Sequence, residues 1–419
     1  MIETIQLHPG VTLRCFQDNR FKQGILTIQF VRKLCTEEAA LNALIPAVLL
    51  QGTEKYPDLR QITLHLDDLY GASVGALVRK VGDYQTTGLS CGFVDDRFAL
   101  EGDRILAPAI DFLRQLLFEP VLEKGCFRED YLESEKRNLI QAIESMRNNK
   151  RQYASNQLIR HMTKGDPFGT PRLGEVEQVS AITACDAYSH YQTVLKESPV
   201  EIFYVGSAEP DTLVSLLHPL FAGREGYTLP AQTALSTAPT GAHTEELDVT
   251  QGKLCMGFVT PITLRDPRFA AMQVLNMLLG GGMTSKLFMQ VREKESLCYD
   301  IGSGFHGSKG ILVVSSGIEF AMKDTVINKI REQLDACRTG HFTDEELLCA
   351  KQGLLTQLQS THDSPGSIEN YYASGILSGL NKTPAEYMAA VEQVSALQVQ
   401  EAAQSLQEHT VYFLRGKQS

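Results

Sequence analysis

The sequence carries the same landmarks twice. "ILTIQFV" at 25–31 has the continuous apolar character of a buried strand, and "KLCMGFV" at 253–259 echoes it. Phe30-Val31 and Phe258-Val259 stand 228 residues apart, while Leu49-Leu50 and Leu278-Leu279 stand 229 apart. Tyr70 and Tyr299 keep the offset of 229. So long a period indicates two duplicated halves, because solenoid repeats recur every 20 to 50 residues or so. It also agrees with a chain of 419 residues, which is too long for one ordinary core.

Each half reads as strand, helix, Gly-containing turn, second helix and strand. In the first, Thr36 followed by Glu37 and Glu38 makes an N-cap with acid in the first turn, and Gly52 is a natural stop. "PDLRQITLHLDDLYG" is the second helix. "RILAPAIDFLRQLLFEP" and "CFREDYLESEKRNLIQAIESMRNNK" follow as amphipathic helices, and "VEIFYVGS" at 200–207 as the half's last strand. From Gly223 to His243 the composition shifts to Gly, Pro, Thr, Ser and Ala, as in a linker. The chain is therefore divided into 1–222, a linker at 223–245, and 246–419. The fold class is α+β, each half a sheet with helices packed on one face.

Charge and composition narrow the function classes. Thirty-nine basic against 50 acidic residues, a formal charge of -11, argue against a sequence-independent nucleic-acid binder. The start, "MIETIQLHPG", lacks the basic stretch and apolar run of a secretory signal. The apolar run from Ala43 to Leu50 is far too short for a membrane span. Nine cysteines without a C-x-x-C pair read as reduced, mostly buried thiols of a cytoplasmic protein.

"ALNALIPAVLLQGT", 40–53, has the length and apolar spacing of a core helix, yet no side chain from Ala43 to Leu50 can bind a metal. Pro46 removes an amide donor and crowds the carbonyl four residues earlier, so the helix is expected to bend or break between Asn42 and Pro46. No two of the ten histidines lie three or four residues apart. His65 in "HLDD" and His362 in "STHDSPGS" therefore read as solvated or capping residues rather than ligands.

"LLGGGMTSKLFMQVREKESLCYDIGSGF", 278–305, resembles the carboxy-terminal-half signature of the insulinase, pitrilysin and mitochondrial processing peptidase family. The shared order is a Gly-rich turn, a small polar residue, a basic residue, Leu-Phe, Arg-Glu-Lys, Leu and Tyr. "GDPFGTPRLGEVEQVSAIT" resembles the family's segment before the first half's last strand. "LLFEPVLEKGCFREDYLESEKRNLIQAIE" resembles its helix pair bearing the third metal ligand. The resemblance implies two related halves that close like a clam around a chamber.

Family members hold zinc on an inverted H-x-x-E-H helix, whose glutamate serves as general base for a metal-bound water. Counting back from Gly52, the resemblance puts Ala43 and Ala47 at the histidine positions and Pro46 at the base. Glu135 matches an earlier family glutamate, which puts Ala142 at the third ligand; in an alternative register Glu144 would stand there. These former zinc-site positions have lost their chemistry, so no zinc and no catalytic residue are expected in this chain.

The family's substrate-gripping pair is retained. Arg292 and Tyr299 match an arginine and a tyrosine, seven apart, that reach across the chamber to the peptide. Arginine supplies a two-pronged donor and tyrosine a hydroxyl that can stabilise developing charge. Gly280, Gly281 and Gly282 match the Gly-rich loop that lets a peptide backbone approach. By spacing alone, Arg292 fits a solvated helix face and Tyr299 a half-buried strand.

Loss of the ligands with retention of the pair is the pattern of non-catalytic subunits in the family's heterodimers, and the resemblance is nearest the bacterial YmfF-like group. It implies a peptide-binding subunit that completes the site of a zinc-bearing, insulinase-like partner and acts on a peptide or protein substrate. No nucleic acid and no membrane are implied, and the isolated chain could pair as a homodimer. The competing reading is a structural or stand-alone peptide-binding protein with no catalytic role.

Overall fold

The computed structural model describes residues 2–229 and 231–417. It forms two compact units, each assembled from three stretches of chain. The first comprises residues 1–144, 170–232 and 362–377, and the second 145–169, 233–361 and 378–419. Pro230, within the expected linker, lies outside the described residues.

In the first unit, β1 (Ile2–His8), β2 (Val11–Gln17), β3 (Gln23–Lys33), β4 (Ser73–Val81) and β5 (Tyr84–Val94) precede a short hairpin, β6 (Leu122–Glu123) and β7 (Cys126–Phe127). The last strand is β8 (Val200–Gly206). The sheet order is β1-β2-β8-β3-β5-β4. Strand β8, the "VEIFYVGS" segment, runs parallel to β2 and antiparallel to β3. In the second unit, β9 (Gly241–Leu247), β10 (Gly252–Val259), β11 (Asp300–His306), β12 (Ile311–Ile318) and β13 (Gln407–Gly416) take the order β11-β12-β10-β13-β9. The end of the Gly/Pro/Thr/Ser/Ala segment thus pairs, through β9, in parallel with β13.

The duplicated landmarks fall on equivalent elements. Phe30-Val31 lies in β3 and Phe258-Val259 in β10, both interior strands. A helix follows each, Thr36–Leu49 and Phe269–Leu279, and ends at the repeated leucines. Glu37 and Glu38 occupy the first turn of the former as expected, but Cys35 takes the cap position and supplies no side-chain bond.

Two helices sit in the unit opposite to their sequence half. The Lys150–Met162 helix belongs to the second unit, where Ala154, Leu158 and Met162 pack with Cys255, Val313 and Tyr412. Leu254, Met256 and Phe258 point to the other face of β10 and are equally buried. This sheet is therefore covered on both sides. The Pro365–Ser378 helix in turn joins the first unit, where Ile368, Tyr372 and Ala373 pack on Phe203 and Val205. Its Glu369, 1% exposed, accepts from both terminal nitrogens of Arg79 (2.8 and 2.6 Å), from Thr27 (2.8 Å) and from Gln29 (3.0 Å).

One cysteine expectation is corrected. Cys126 in β7 and Cys185 in the Ala184–Glu197 helix form a disulfide across a sequence separation of 59. So distant a pairing leaves no spacing signature, and the fold alone brings the two together. The seven other cysteines are free thiols, buried or half-buried. Among the described residues no helix is long and apolar enough to cross a membrane.

Candidate functional site

The helix on which the resemblance places the family's zinc motif, Thr36–Leu49, runs continuously through Pro46, without the expected break. Proline denies the Asn42 carbonyl its helical N–H donor, but the hydroxyl of Thr87 on β5 donates to that oxygen at 2.7 Å. The fully buried Asn42 side chain is itself matched. Its amide donates to Gln85 Oε1 (2.9 Å), and its Oδ1 accepts from His190 Nε2 (2.8 Å). Gln85 Nε2 reaches the carbonyls of Ala39 (3.0 Å) and Arg172 (2.7 Å). A neutral, satisfied network thus fixes this helix to the sheet.

Ala43 and Pro46 are buried, Ala47 is half-buried, and Ala142 is exposed on the Glu129–Asn148 helix. Glu144 is also exposed, whereas Glu135 is buried and accepts from Gln51 Nε2 at 2.5 Å, beside Gly52. Glu135 is thereby spent on holding the turn after the helix. His65 stacks on Tyr56 with ring centroids 4.5 Å apart, and burial lowers its pKa. Among the described residues no three His, Cys, Asp or Glu side chains are placed to hold a metal ion. Alanine and proline side chains offer no lone pair, so the residues at the positions the resemblance assigned to the metal do not fit zinc.

The second unit carries the other expected residues. The Phe269–Leu279 helix stops at Gly280, whose carbonyl accepts from Ser303 N on β11 at 2.9 Å. A Cβ at residue 280 would lie 2.7 Å from Ser303 N, so only glycine fits there. Gly282, by contrast, faces open space but for the end of Met277. The chain then winds through a π-helical segment, Leu287–Lys294, anchored by buried Leu287 and Val291 and by Lys286, which pairs with Glu346 at 3.0 Å. Such wide turns are rare and recur at functional sites.

Arg292 projects from this segment. Its guanidinium lies 4.6 Å from the Phe288 ring centroid, with Nε donating to the Tyr299 carbonyl at 3.0 Å. Glu293 Oε1 is 3.3 Å from Nη1. Tyr299 is 60% exposed, although its backbone N–H is fixed to Gly317 O at 2.9 Å. Its counterpart in the repeat, Tyr70, is committed instead to Asp103, at 2.7 Å.

All five residues expected to bind substrate (Arg292, Tyr299, Gly280, Gly281 and Gly282) border one cavity of about 650 Å³ in the second unit. Arg292 and Tyr299 also border a second space of about 650 Å³ with Cys298, Glu319 and Met322. Burial pushes the Cys298 thiol pKa up, which leaves it a poor nucleophile. The first cavity takes further residues that the sequence reading missed: Arg151 and Ser155 from the exchanged helix, and Asp300 and Ser315 from the sheet. No sequence pattern links Arg151 to this site, because only the helix exchange brings it there.

Residues 181–354 match the family model "Peptidase M16 inactive domain". The chain is 30% identical over 412 residues to "Probable inactive metalloprotease YmfF" of Bacillus subtilis, covering 98% of this chain and 96% of that one. A crystal structure of a conserved protein from Enterococcus faecalis superposes with a TM-score of 0.93 at 29% identity, covering 100% of this chain and 99% of that one. The peptidase M16 inactive domain from Pseudomonas fluorescens gives 0.82 at 18% identity over 100% of this chain and 99% of its own, a likeness of fold.

Proposed function

The chain belongs to the M16 peptidase family as an inactive metallopeptidase homologue, and from that premise we propose that it binds peptides for a zinc-bearing relative. In this reading its second unit supplies Arg292, Tyr299 and the Gly280–282 loop to substrate held at the partner's metal. The observation that carries it is the joint placement of those five residues on one cavity while the former ligand positions hold alanine and proline. A purely structural subunit would have no use for a cavity lined by an exposed tyrosine and a charged arginine.

Arg292 would hold a peptide carbonyl or carboxylate through the guanidinium nitrogen that neither the Tyr299 carbonyl nor Glu293 engages, while its Nε fixes the tyrosine's backbone. Tyr299 would present its hydroxyl to the carbonyl under attack. The proposed compartment is the cytoplasm, where the Cys126–Cys185 bond would meet reducing conditions.

The test is affinity purification of the tagged chain from its native cells, with elemental analysis of the complex and of the isolated chain. We expect an M16 relative with about one zinc per heterodimer, and none on the isolated chain. Stoichiometric zinc on the isolated chain, or no zinc-bearing relative in the complex, would overturn the proposal.

A further inference from the structure

Resting on the peptide-binding reading, we propose that the cavity selects ligands bearing a carboxylate, and that Arg151 is the residue that reads it. Arg151 lies in the first turn of the exchanged Lys150–Met162 helix and borders the same cavity as Arg292. Two guanidinium groups and one carboxylate, that of Asp300, therefore share a small space in a chain whose net charge is -11. Glu293, outside that lining, balances Arg292 at 3.3 Å, which leaves Arg151 as the cation that faces a ligand across Asp300.

The Arg151 guanidinium is positioned but not consumed. Its Nη1 is 3.4 Å from Asp300 Oδ1 and its Nε is 3.3 Å from Ser315 Oγ. Both separations are long for charge-assisted bonds, which close to about 2.7–2.9 Å when the geometry is good. Committed pairs in this protein do close: Arg14–Glu201 stands at 2.8 Å and Arg79–Glu369 at 2.6 Å. Asp300 Oδ1 is buried and makes no hydrogen bond, so Asp300 orients Arg151 electrostatically without occupying its donors.

The floor beside the guanidinium is bare. Asp300, Gly302 and Gly304 alternate along β11 and so share one face. A Cβ at residue 302 would stand 3.2 Å from the Gly280 carbonyl oxygen and 3.4 Å from Arg151 Nη2, whereas one at residue 304 would meet nothing within 4 Å, so the open floor lies at Gly304. The strand thus leaves room for a carboxylate to meet the planar fork with two parallel hydrogen bonds, a geometry lysine cannot supply. The shared chemistry is the carboxylate, from an acidic side chain or from a peptide's C-terminus.

The chain contains no tryptophan, so a peptide with a single Trp reports its own binding by fluorescence anisotropy. Four N-acetylated peptides of one length serve as probes: a C-amidated one with a central Glu pair, its Gln counterpart, its Lys counterpart, and the Gln peptide with a free C-terminal carboxylate. The Glu peptide, the free-carboxylate peptide or both should bind at least about tenfold more tightly than the amidated Gln peptide, and the stronger of the two identifies the source. Arg151→Gln should erase that preference, and Arg151→Lys should restore only part of it.

Equal binding of all four, tightest binding of the Lys peptide, or a preference that survives Arg151→Gln would overturn the proposal while leaving a peptide site standing. No binding of any peptide would overturn the parent reading as well. The four-peptide comparison on the unsubstituted chain decides whether the cavity selects carboxylates, and Arg151→Lys assigns the selection to this residue should Arg151→Gln fail to fold.

Discussion

The hydroxyl of Thr87 donates a 2.7 Å hydrogen bond to the main-chain carbonyl of Asn42, four residues before Pro46. That carbonyl is the one a proline at residue 46 leaves without a helical donor. A side chain on the neighbouring strand has taken over the missing bond, which is how the helix stays unbroken at Pro46. This helix is a structural part, with its polar needs met from β5 and from His190.

Thr87→Val keeps the shape and removes the donor, leaving a buried carbonyl unpaired at a cost of about 1–3 kcal/mol. Pro46→Ala restores an amide at residue 46, so in that background Thr87→Val should cost clearly less. Denaturant unfolding of the two single variants and the double variant measures the coupling. Additive losses would show that the hydroxyl does not serve this carbonyl.

Glu369 is the polar anchor of the exchanged Pro365–Ser378 helix on the first sheet. Replacing it with Leu strands Arg79 and deprives Thr27 and Gln29 of their shared acceptor. Breaking a buried ion pair from one side costs about 3–5 kcal/mol. Arg79→Met together with Glu369→Leu should recover part of this. Protease sensitivity between residues 362 and 378 should rise in the single variant, as limited proteolysis with mass mapping would reveal.

Burial lowers the pKa of His65, His161 and His190; at His190 nearby Glu38 opposes the shift and Arg32 adds to it. All three are therefore held neutral in the fold while the unfolded chain titrates near 6.5. Below that pH the unfolded state binds more protons, so the stability present at neutral pH is lost as pH falls through the lowered folded values. Thermal unfolding from pH 7.5 down to 5 should show a falling Tm. His190→Gln, which keeps a donor toward Asn42, should flatten the fall.

Periodicity made much of the fold legible. The buried strands around Phe30 and Phe258 are β3 and β10, and the offset of the two halves predicted that a helix would follow each. Local patterns could not show the exchange of the 150–162 and 365–378 helices, because an amphipathic helix does not encode which of two related sheets it will cover. Arg151 and the Cys126–Cys185 bond were hidden for the same reason, since both depend on long-range placement. Arg292 and Tyr299 were visible because they lie within one continuous motif. The unbroken helix at Pro46 was not, because its rescuer, Thr87, sits on another strand.

The last prediction separates a substrate-gripping pair from surface decoration. Tyr299 keeps its ring exposed, and its hydroxyl makes no hydrogen bond among the described residues, so Tyr299→Phe should leave stability unchanged. Arg292→Ala removes a fixed charge and also the 3.0 Å bond that steadies the Tyr299 backbone. If both groups act on the transition state in a reconstituted complex with the zinc-bearing partner, each loss should cut turnover, for one such donor by about a hundredfold. Because Arg292 also positions Tyr299, the double variant should lose less than the product of the two single losses. Assembly should be unaffected, so turnover is compared at equal occupancy of the complex by gel filtration and steady-state assay. Unchanged turnover for Arg292→Ala would make the arginine a solvated helix-face charge and return the chain to a structural role.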